Sequence, residues 1–156
     1  MISRKDFLKQ ALVGATALSL GRVATAQSAT AQSAASRKSV MGANEKIRIG
    51  VIGVNSRGRA IAQCLAKLPE CEVTCICDVD SRAIVTCQEA VKKITGKTPR
   101  GERDIRKMLE SDDFEAVAIA MPDHWHAPAA IMAMQAGKHV YVEKPMGRTF
   151  YECELM

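Results

Sequence analysis

One junction between a strand and a helix constrains the fold of this chain more than any other feature. Residues 46–54 are β-branched and mostly apolar, as expected of a strand buried on both faces. Residues 57–68 follow with apolar side chains at positions 60, 61, 64, 65 and 68, which share one helical face. Gly53 and Gly58 lie at the connection. A glycine-marked turn from a buried strand into a helix is typical of α/β proteins.

The rest of the domain alternates between the same two patterns. We predict strands at residues 73–77, 116–120 and 139–142, helices at residues 81–95, 104–110 and 128–136, and a loop at residues 96–101. Strands alternating with helices indicate an α/β fold with a doubly wound parallel sheet of the Rossmann type.

The last residues predict one more helix. Thr149 and Glu152 have capping-box spacing, so a helix should begin near Phe150. Because the sequence stops at Met156, we expect it to be truncated before the last strand of its sheet. Residues 46–156 would then be an incomplete nucleotide-binding domain.

The first 45 residues differ in character from the rest. Residues 1–26 have a basic opening with Arg4 and Lys5, an apolar stretch at 11–20, and small residues where a signal peptidase reads. Residues 3–9 are similar to a twin-arginine signal in which Lys5 replaces the second arginine. We therefore expect an export signal peptide and a periplasmic location. The alternative is an amphipathic helix on a cytoplasmic protein. Residues 27–45 are small and polar, which predicts a disordered linker.

Charge and hydropathy exclude two classes of partner. Residues 1–26 carry four of the 22 basic residues and one of the 17 acidic residues, which leaves 18 basic and 16 acidic residues. A domain so nearly neutral, without basic runs, is a poor nucleic-acid binder. No apolar run reaches the roughly 18 residues that a membrane span needs. We expect no nucleic-acid partner and no stable span after signal removal.

The turn at Gly53 has the spacing of a dinucleotide-binding G-x-G-x-x-G motif, with Asn55 in place of the second glycine. Gly53 permits the tight turn and Gly58 permits close helix packing. Asn55 tolerates left-handed backbone better than most residues, so the turn can survive. Ser56 and Arg57 are candidate phosphate contacts, beside the free N–H groups of the helix N-terminus.

Asp78 ends the second strand, 20 residues after Gly58. A carboxylate there can accept hydrogen bonds from both adenosine ribose hydroxyls and repels a 2′-phosphate, which favours NAD over NADP. Arg82 follows closely enough to soften that preference. A helix cap is the structural alternative for Asp78, although Asp80 suits that role better.

Two further segments follow strands, where ligands bind in such sheets. They are MPDHWHAP at residues 121–128 and Glu143-Lys144-Pro145. Together with the glycine turn and ICDVD at residues 76–80, they closely resemble the Gfo/Idh/MocA family, named for glucose–fructose oxidoreductase, inositol dehydrogenase and rhizopine-catabolism proteins. The resemblance runs from about Ile47 to Met156.

The resemblance implies roles for individual residues. Lys144 would be the catalytic residue, touching the substrate hydroxyl and the nicotinamide region, and Glu143 would orient it or contact the nicotinamide ribose. Pro122, Asp123 and His126 would line the cofactor. A cis bond is suspected before Pro145. The resemblance also implies a separate substrate domain that supplies oligomer contacts, so the full-length form is expected to be a homo-oligomer with a small sugar or polyol substrate.

Metal and disulfide chemistry are poorly supported. Cys75 and Cys77 project from one face of a strand, about 7 Å apart, too far for easy bridging. Cys64 and Cys87 occupy helix positions that suit core packing. His124 and His126 have no closed metal-site spacing with these thiols. We expect structural thiols and no metal.

Three functions stay open. The first is an NAD(P)-dependent oxidoreductase that transfers hydride between nicotinamide and a sugar or polyol hydroxyl, with this chain supplying the nucleotide-binding half. The second is a glycoside hydrolase that uses bound NAD through transient oxidation and elimination. The third is an inactive nucleotide-binding fragment. The glycine turn serves all three, so it cannot separate them.

Overall fold

The computed structural model of the chain describes residues 46–156, and the predicted signal peptide and linker lie outside them. Five strands and five α-helices alternate along this part. The strands are β1 (Ile47–Ile52), β2 (Cys71–Cys77), β3 (Arg100–Glu102), β4 (Ala116–Ile119) and β5 (His139–Val142). The helices are α1 (Arg57–Ala66), α2 (Ser81–Thr95), α3 (Ile105–Leu109), α4 (His126–Gln135) and α5 (Phe150–Leu155), with a 3₁₀ turn at Asp123–Trp125.

All five strands are parallel, in the order β3-β2-β1-β4-β5. The order reverses at β1, which pairs with β2 on one side and with β4 on the other. The loops after β1 and β4 therefore separate at the carboxyl edge, where a doubly wound sheet binds its ligand. The predicted fold class is confirmed.

Each face of the sheet buries its own apolar layer, because strand side chains alternate between faces. One layer packs Val51, Val54 and Ile76 against α1 and α2. The other packs Ile52, Cys77 and Ile119 against α3 and the alanine-rich α4. Burial on both faces explains why the strands read as continuous apolar runs rather than alternating ones.

Several predicted boundaries move. The predicted loop at residues 96–101 contains the start of β3, a charged three-residue strand that pairs with Cys75–Cys77 through main-chain atoms and has no hydrophobic signal. Helix α4 begins at His126, two residues before the predicted start, since a proline in the first turn loses no helical hydrogen bond. Helix α1 ends at Ala66 instead of Leu68, and β2 begins at Cys71 instead of Val73.

The helix predicted near Phe150 is confirmed, including the reciprocal capping box between Thr149 and Glu152. Within residues 46–156, none of the helices is both long and apolar enough to cross a bilayer.

Candidate functional site

The turn after β1 has no room for side chains at its two glycines. Gly53 adopts φ +81°, and a Cβ there would lie 2.7 Å from the carbonyl oxygen of Ala120. A Cβ on Gly58 would collide with the main chain of Gly53, 2.9 Å from its carbonyl carbon and closer still to the oxygen. The Gly53 N–H donates to the carbonyl of Cys77 at 2.8 Å. Both glycines are required where the sequence analysis places them, and their contact with a cofactor stays a prediction.

Helix α1 begins without a side-chain cap. Ser56 is its N-cap residue but makes no capping hydrogen bond, and the first turn contains no acidic residue. Asn55, Ser56 and Arg57 are all exposed at this end. Uncapped N–H groups and the positive end of the helix dipole suit an anionic ligand such as a diphosphate. The chain thus presents the features that the phosphate part of a dinucleotide needs.

Asp78 follows β2 and is half-buried beside this turn. One carboxylate oxygen accepts from the Val54 N–H at 2.8 Å, and the other accepts from the Asp80 N–H at 3.0 Å. Each oxygen retains a lone pair for a ribose hydroxyl. Asp80, not Asp78, caps α2 by accepting from the Arg82 N–H. The Arg82 guanidinium pairs with Asp80 at 2.9 Å, so the structure gives no pairing of Arg82 with Asp78.

A cavity of about 630 Å³ lies along this edge between the ends of β1, β2, β3 and β4. Gly53, Asp78, Pro122 and Trp125 line it. Arg103, which no sequence pattern indicated, also lines the cavity, and its guanidinium donates to the Val79 carbonyl at 3.1 and 3.2 Å. Arg103 directly follows β3, and because β3 has no hydrophobic signal, the sequence did not indicate that Arg103 lies at this edge.

The predicted catalytic Lys144 lies at the end of β5. Its side chain is exposed, and its ammonium makes no hydrogen bond or ion pair within residues 46–156. Neighbouring Glu143 is only 12% exposed and accepts from Arg57 Nε at 2.7 Å and from the Tyr141 hydroxyl at 3.3 Å. The bond with the Arg57 guanidinium holds the pKa of the Glu143 carboxyl below its usual value.

The two loops that follow β4 and β5 are joined by His126. Its ring is buried, with Nδ1 2.6 Å from the Pro145 carbonyl and Nε2 2.8 Å from the Met121 carbonyl. The structure places the His126 ring against these main-chain oxygens, and its predicted contact with the cofactor stays a prediction. Pro122 and Asp123 are exposed at the edge. The suspected cis bond between Lys144 and Pro145 is confirmed.

The six cysteines are free thiols, and three of them are core residues. Burial raises the pKa of Cys75 to about 11, of Cys77 to about 12 and of Cys87 to about 11, which keeps these thiols protonated and inert. The prediction that Cys64 packs in the core is wrong: it is exposed, because α1 turns Ala62 toward the sheet instead. No metal-binding group of three or more His, Cys, Asp or Glu side chains occurs in the described part.

Comparison with known proteins identifies this arrangement. Residues 47–156 match the family model GFO_IDH_MocA, described as an oxidoreductase family with an NAD-binding Rossmann fold. Among curated relatives, a glycosyl hydrolase family 109 protein from Shewanella sp. (strain ANA-3) is 35% identical over 158 residues, covering 96% of this chain and 35% of the relative. An alpha-N-acetylgalactosaminidase from Shewanella oneidensis is 35% identical over 164 residues, covering 97% and 35%.

Solved structures share the fold. Scyllo-inositol dehydrogenase from Lactobacillus casei, with bound NAD(H) and scyllo-inositol, aligns with a TM-score of 0.61 and 29% identity, over 70% of this chain and 31% of that one. The WlbA dehydrogenase from Bordetella pertussis, in complex with NADH and UDP-GlcNAcA, aligns with a TM-score of 0.61 and 28% identity, over 71% and 32%. The chain spans about one third of the length of these relatives.

Proposed function

The chain belongs to the Gfo/Idh/MocA oxidoreductase family with its NAD-binding Rossmann fold, and from that premise we propose that it is the nucleotide-binding half of an enzyme acting on a sugar or polyol-like hydroxyl. The observation that carries the proposal is that three features follow parallel strands at the carboxyl edge of one sheet. These are the glycine turn with its uncapped helix, the carboxylate of Asp78, and Lys144 at the end of β5.

The chemistry divides between cofactor and protein. The nicotinamide, when bound, supplies hydride acceptance or donation. The N-terminus of α1 neutralises the diphosphate, and Asp78 accepts from the adenosine ribose. The Lys144 ammonium, free of protein partners in the described part, can stabilise a developing alkoxide or take part in moving the hydroxyl proton.

A second candidate function is NAD-dependent glycoside hydrolysis. What favours it is the 35% identity to relatives named glycosyl hydrolase family 109 and alpha-N-acetylgalactosaminidase. In that chemistry the cofactor is regenerated within each turnover, so no reduced cofactor accumulates. A third outcome is nucleotide binding without turnover by this chain alone.

Fluorescence titration of the full chain with NADH and NADPH tests the proposed binding. We expect saturable NADH binding that weakens at least about tenfold in Asp78→Asn, a change that keeps the side-chain shape but removes the charge. NADPH should bind more weakly than NADH. A folded sample that binds neither nucleotide contradicts the proposal.

The reaction is tested by supplying NAD with scyllo-inositol, or with a chromogenic N-acetyl-α-galactosaminide, and following absorbance. Accumulation of NADH with the polyol supports the oxidoreductase. Release of the chromophore without net NADH supports the hydrolase. Binding with neither signal indicates a nucleotide-binding chain that is inactive alone.

We further propose that the protein acts after export, on the basis of the three-part layout of residues 1–26. Fusing these residues to a reporter that functions only in the periplasm tests this. Retention of the reporter in the cytoplasm would favour the alternative of an N-terminal helix on a cytoplasmic protein.

A further inference from the structure

Arg57, which was predicted to contact phosphate, forms an ion pair with the residue that follows β5. Its Nε donates to Glu143 Oε1 at 2.7 Å, linking the first residue of α1 to a residue 86 positions later in the chain. We propose that Arg57 is a positioning residue for Lys144 and acts through Glu143. The inference rests on the proposed role of Lys144 at the reacting hydroxyl.

Glu143 contacts both Arg57 and the main chain of Lys144, so it can couple the two residues. Its side chain is 12% exposed, and both of its carboxylate oxygens are engaged. Oε1 accepts from Arg57 and from the Tyr141 hydroxyl, while Oε2 lies 3.4 Å from the Lys144 main-chain N–H. Arg57 therefore fixes the direction of a carboxylate that contacts the Lys144 backbone.

The main chain at Glu143 pairs with a neighbouring strand on one side only. The Glu143 N–H donates to the Ile119 carbonyl at 2.9 Å, which continues the pairing of β5 with β4. In the described part β5 is an edge strand, with no strand on its far side. Beyond Glu143 the His126 ring contacts the Pro145 carbonyl. Lys144 thus lies between two residues with hydrogen-bonded main-chain groups, and the Glu143 carboxylate connects this segment to Arg57.

An ordinary surface ion pair would contribute little to stability and would leave Lys144 unaffected. If Arg57 holds the Glu143 carboxylate, then its removal frees a negative charge one residue from the ammonium. A nearby carboxylate favours the charged form of an amine, and only the neutral amine is acylated. Arg57→Gln should therefore slow acylation of Lys144, and it should do so only while Glu143 carries its charge.

The test measures the acylation rate of Lys144 in the full chain by peptide mass spectrometry, without cofactor, with exposed Lys67 as internal reference. We expect Arg57→Gln to slow Lys144 acylation at least about threefold, and to have no effect in a Glu143→Gln background. Arg59→Gln is the matched control, since Arg59 lies on the same helix and makes no ion pair within residues 46–156. It should leave the rate unchanged.

Two outcomes overturn the inference. One is a Lys144 rate in Arg57→Gln equal to that in the Arg59→Gln control. The other is an Arg57→Gln effect that persists in the Glu143→Gln background, since Arg57 would then act by another route. Because the acylation measurement needs no nucleotide, it is independent of the NADH titration. A failure of NADH binding would contradict the proposed function without changing the acylation result.

Discussion

Two strand-to-helix junctions lie side by side at the carboxyl edge of the sheet, and they differ in whether a side chain caps the helix that follows. After β2, Asp80 caps α2 and also pairs with Arg82, so the first turn of that helix is satisfied by its own chain. After β1, Ser56 caps nothing and the first turn of α1 carries no acid. The N–H groups at the start of α1 are therefore available to an anion, whereas an N–H group at the start of α2 is already bonded to Asp80.

The largest effect is expected at the turn that keeps α1 close to β1. Gly58→Ala should destabilise the fold by about 3 kcal/mol, because the new methyl group overlaps the Gly53 main chain. Gly96→Ala is the control, where φ is +76° but nothing lies within 4 Å, and it should cost about 1 kcal/mol. Urea denaturation measures both, and equal costs would contradict the close-packing account.

Giving α1 a capping carboxylate, as α2 has, should make its N-terminus unfavourable for an anionic ligand. Ser56→Asp adds a carboxylate that can accept from the first-turn N–H groups, so the protein should be no less stable. The same charge repels a diphosphate, and NADH affinity should fall about tenfold or more. Ser56→Ala separates the charge from the lost hydroxyl and should weaken binding far less. Undiminished NADH affinity in Ser56→Asp would place the diphosphate elsewhere.

Removing the cap of α2 should have the complementary result. Asp80→Ala should lower the unfolding temperature by about 4 °C while NADH affinity stays within about twofold. Thermal unfolding and the nucleotide titration on the same sample provide both values. If NADH affinity fell as far as in Asp78→Asn, the assignment of ribose binding to Asp78 and of helix capping alone to Asp80 would be wrong.

The smallest effect concerns acid. The Arg106 guanidinium lowers the pKa of Asp104, the cap of α3, to about 2. A depressed carboxyl pKa stabilises the fold above the unfolded value of about 4 and loses that contribution as pH falls toward about 2. Asp104→Asn should show a smaller loss of stability across this range. An identical acid profile for the variant would show that this cap does not contribute.

Hydrophobic runs were enough to predict four of the five strands, and the spacing of the glycine motif predicted the tight turn at Gly53 and the close packing at Gly58. They could not predict β3, because Arg100–Glu102 is a charged segment with no hydrophobic run, paired with β2 through main-chain atoms. Periodicity also misplaced Cys64, because apolar spacing says which residues share a helix face and not how the helix is rotated on the sheet.

Within the site, two contacts that the sequence did not predict join separate elements of the chain. The Arg57–Glu143 pair and the contact of His126 with the Pro145 carbonyl depend on the order of β1, β4 and β5, which no local pattern encodes. The glycine turn predicted Arg57 as a cofactor contact, and the family resemblance implied the same for Glu143 and His126. The structure adds that all three also make contacts within the protein.

Asp78 has a consequence for the kinetics of recognition. Its carboxylate is oriented by hydrogen bonds from the N–H groups of Val54 and Asp80, both within the protein. The entropy of ordering that side chain is therefore paid during folding, and the site is preorganised. Variants that alter this carboxylate should accordingly differ mainly in how long a nucleotide stays bound, and little in how fast it arrives.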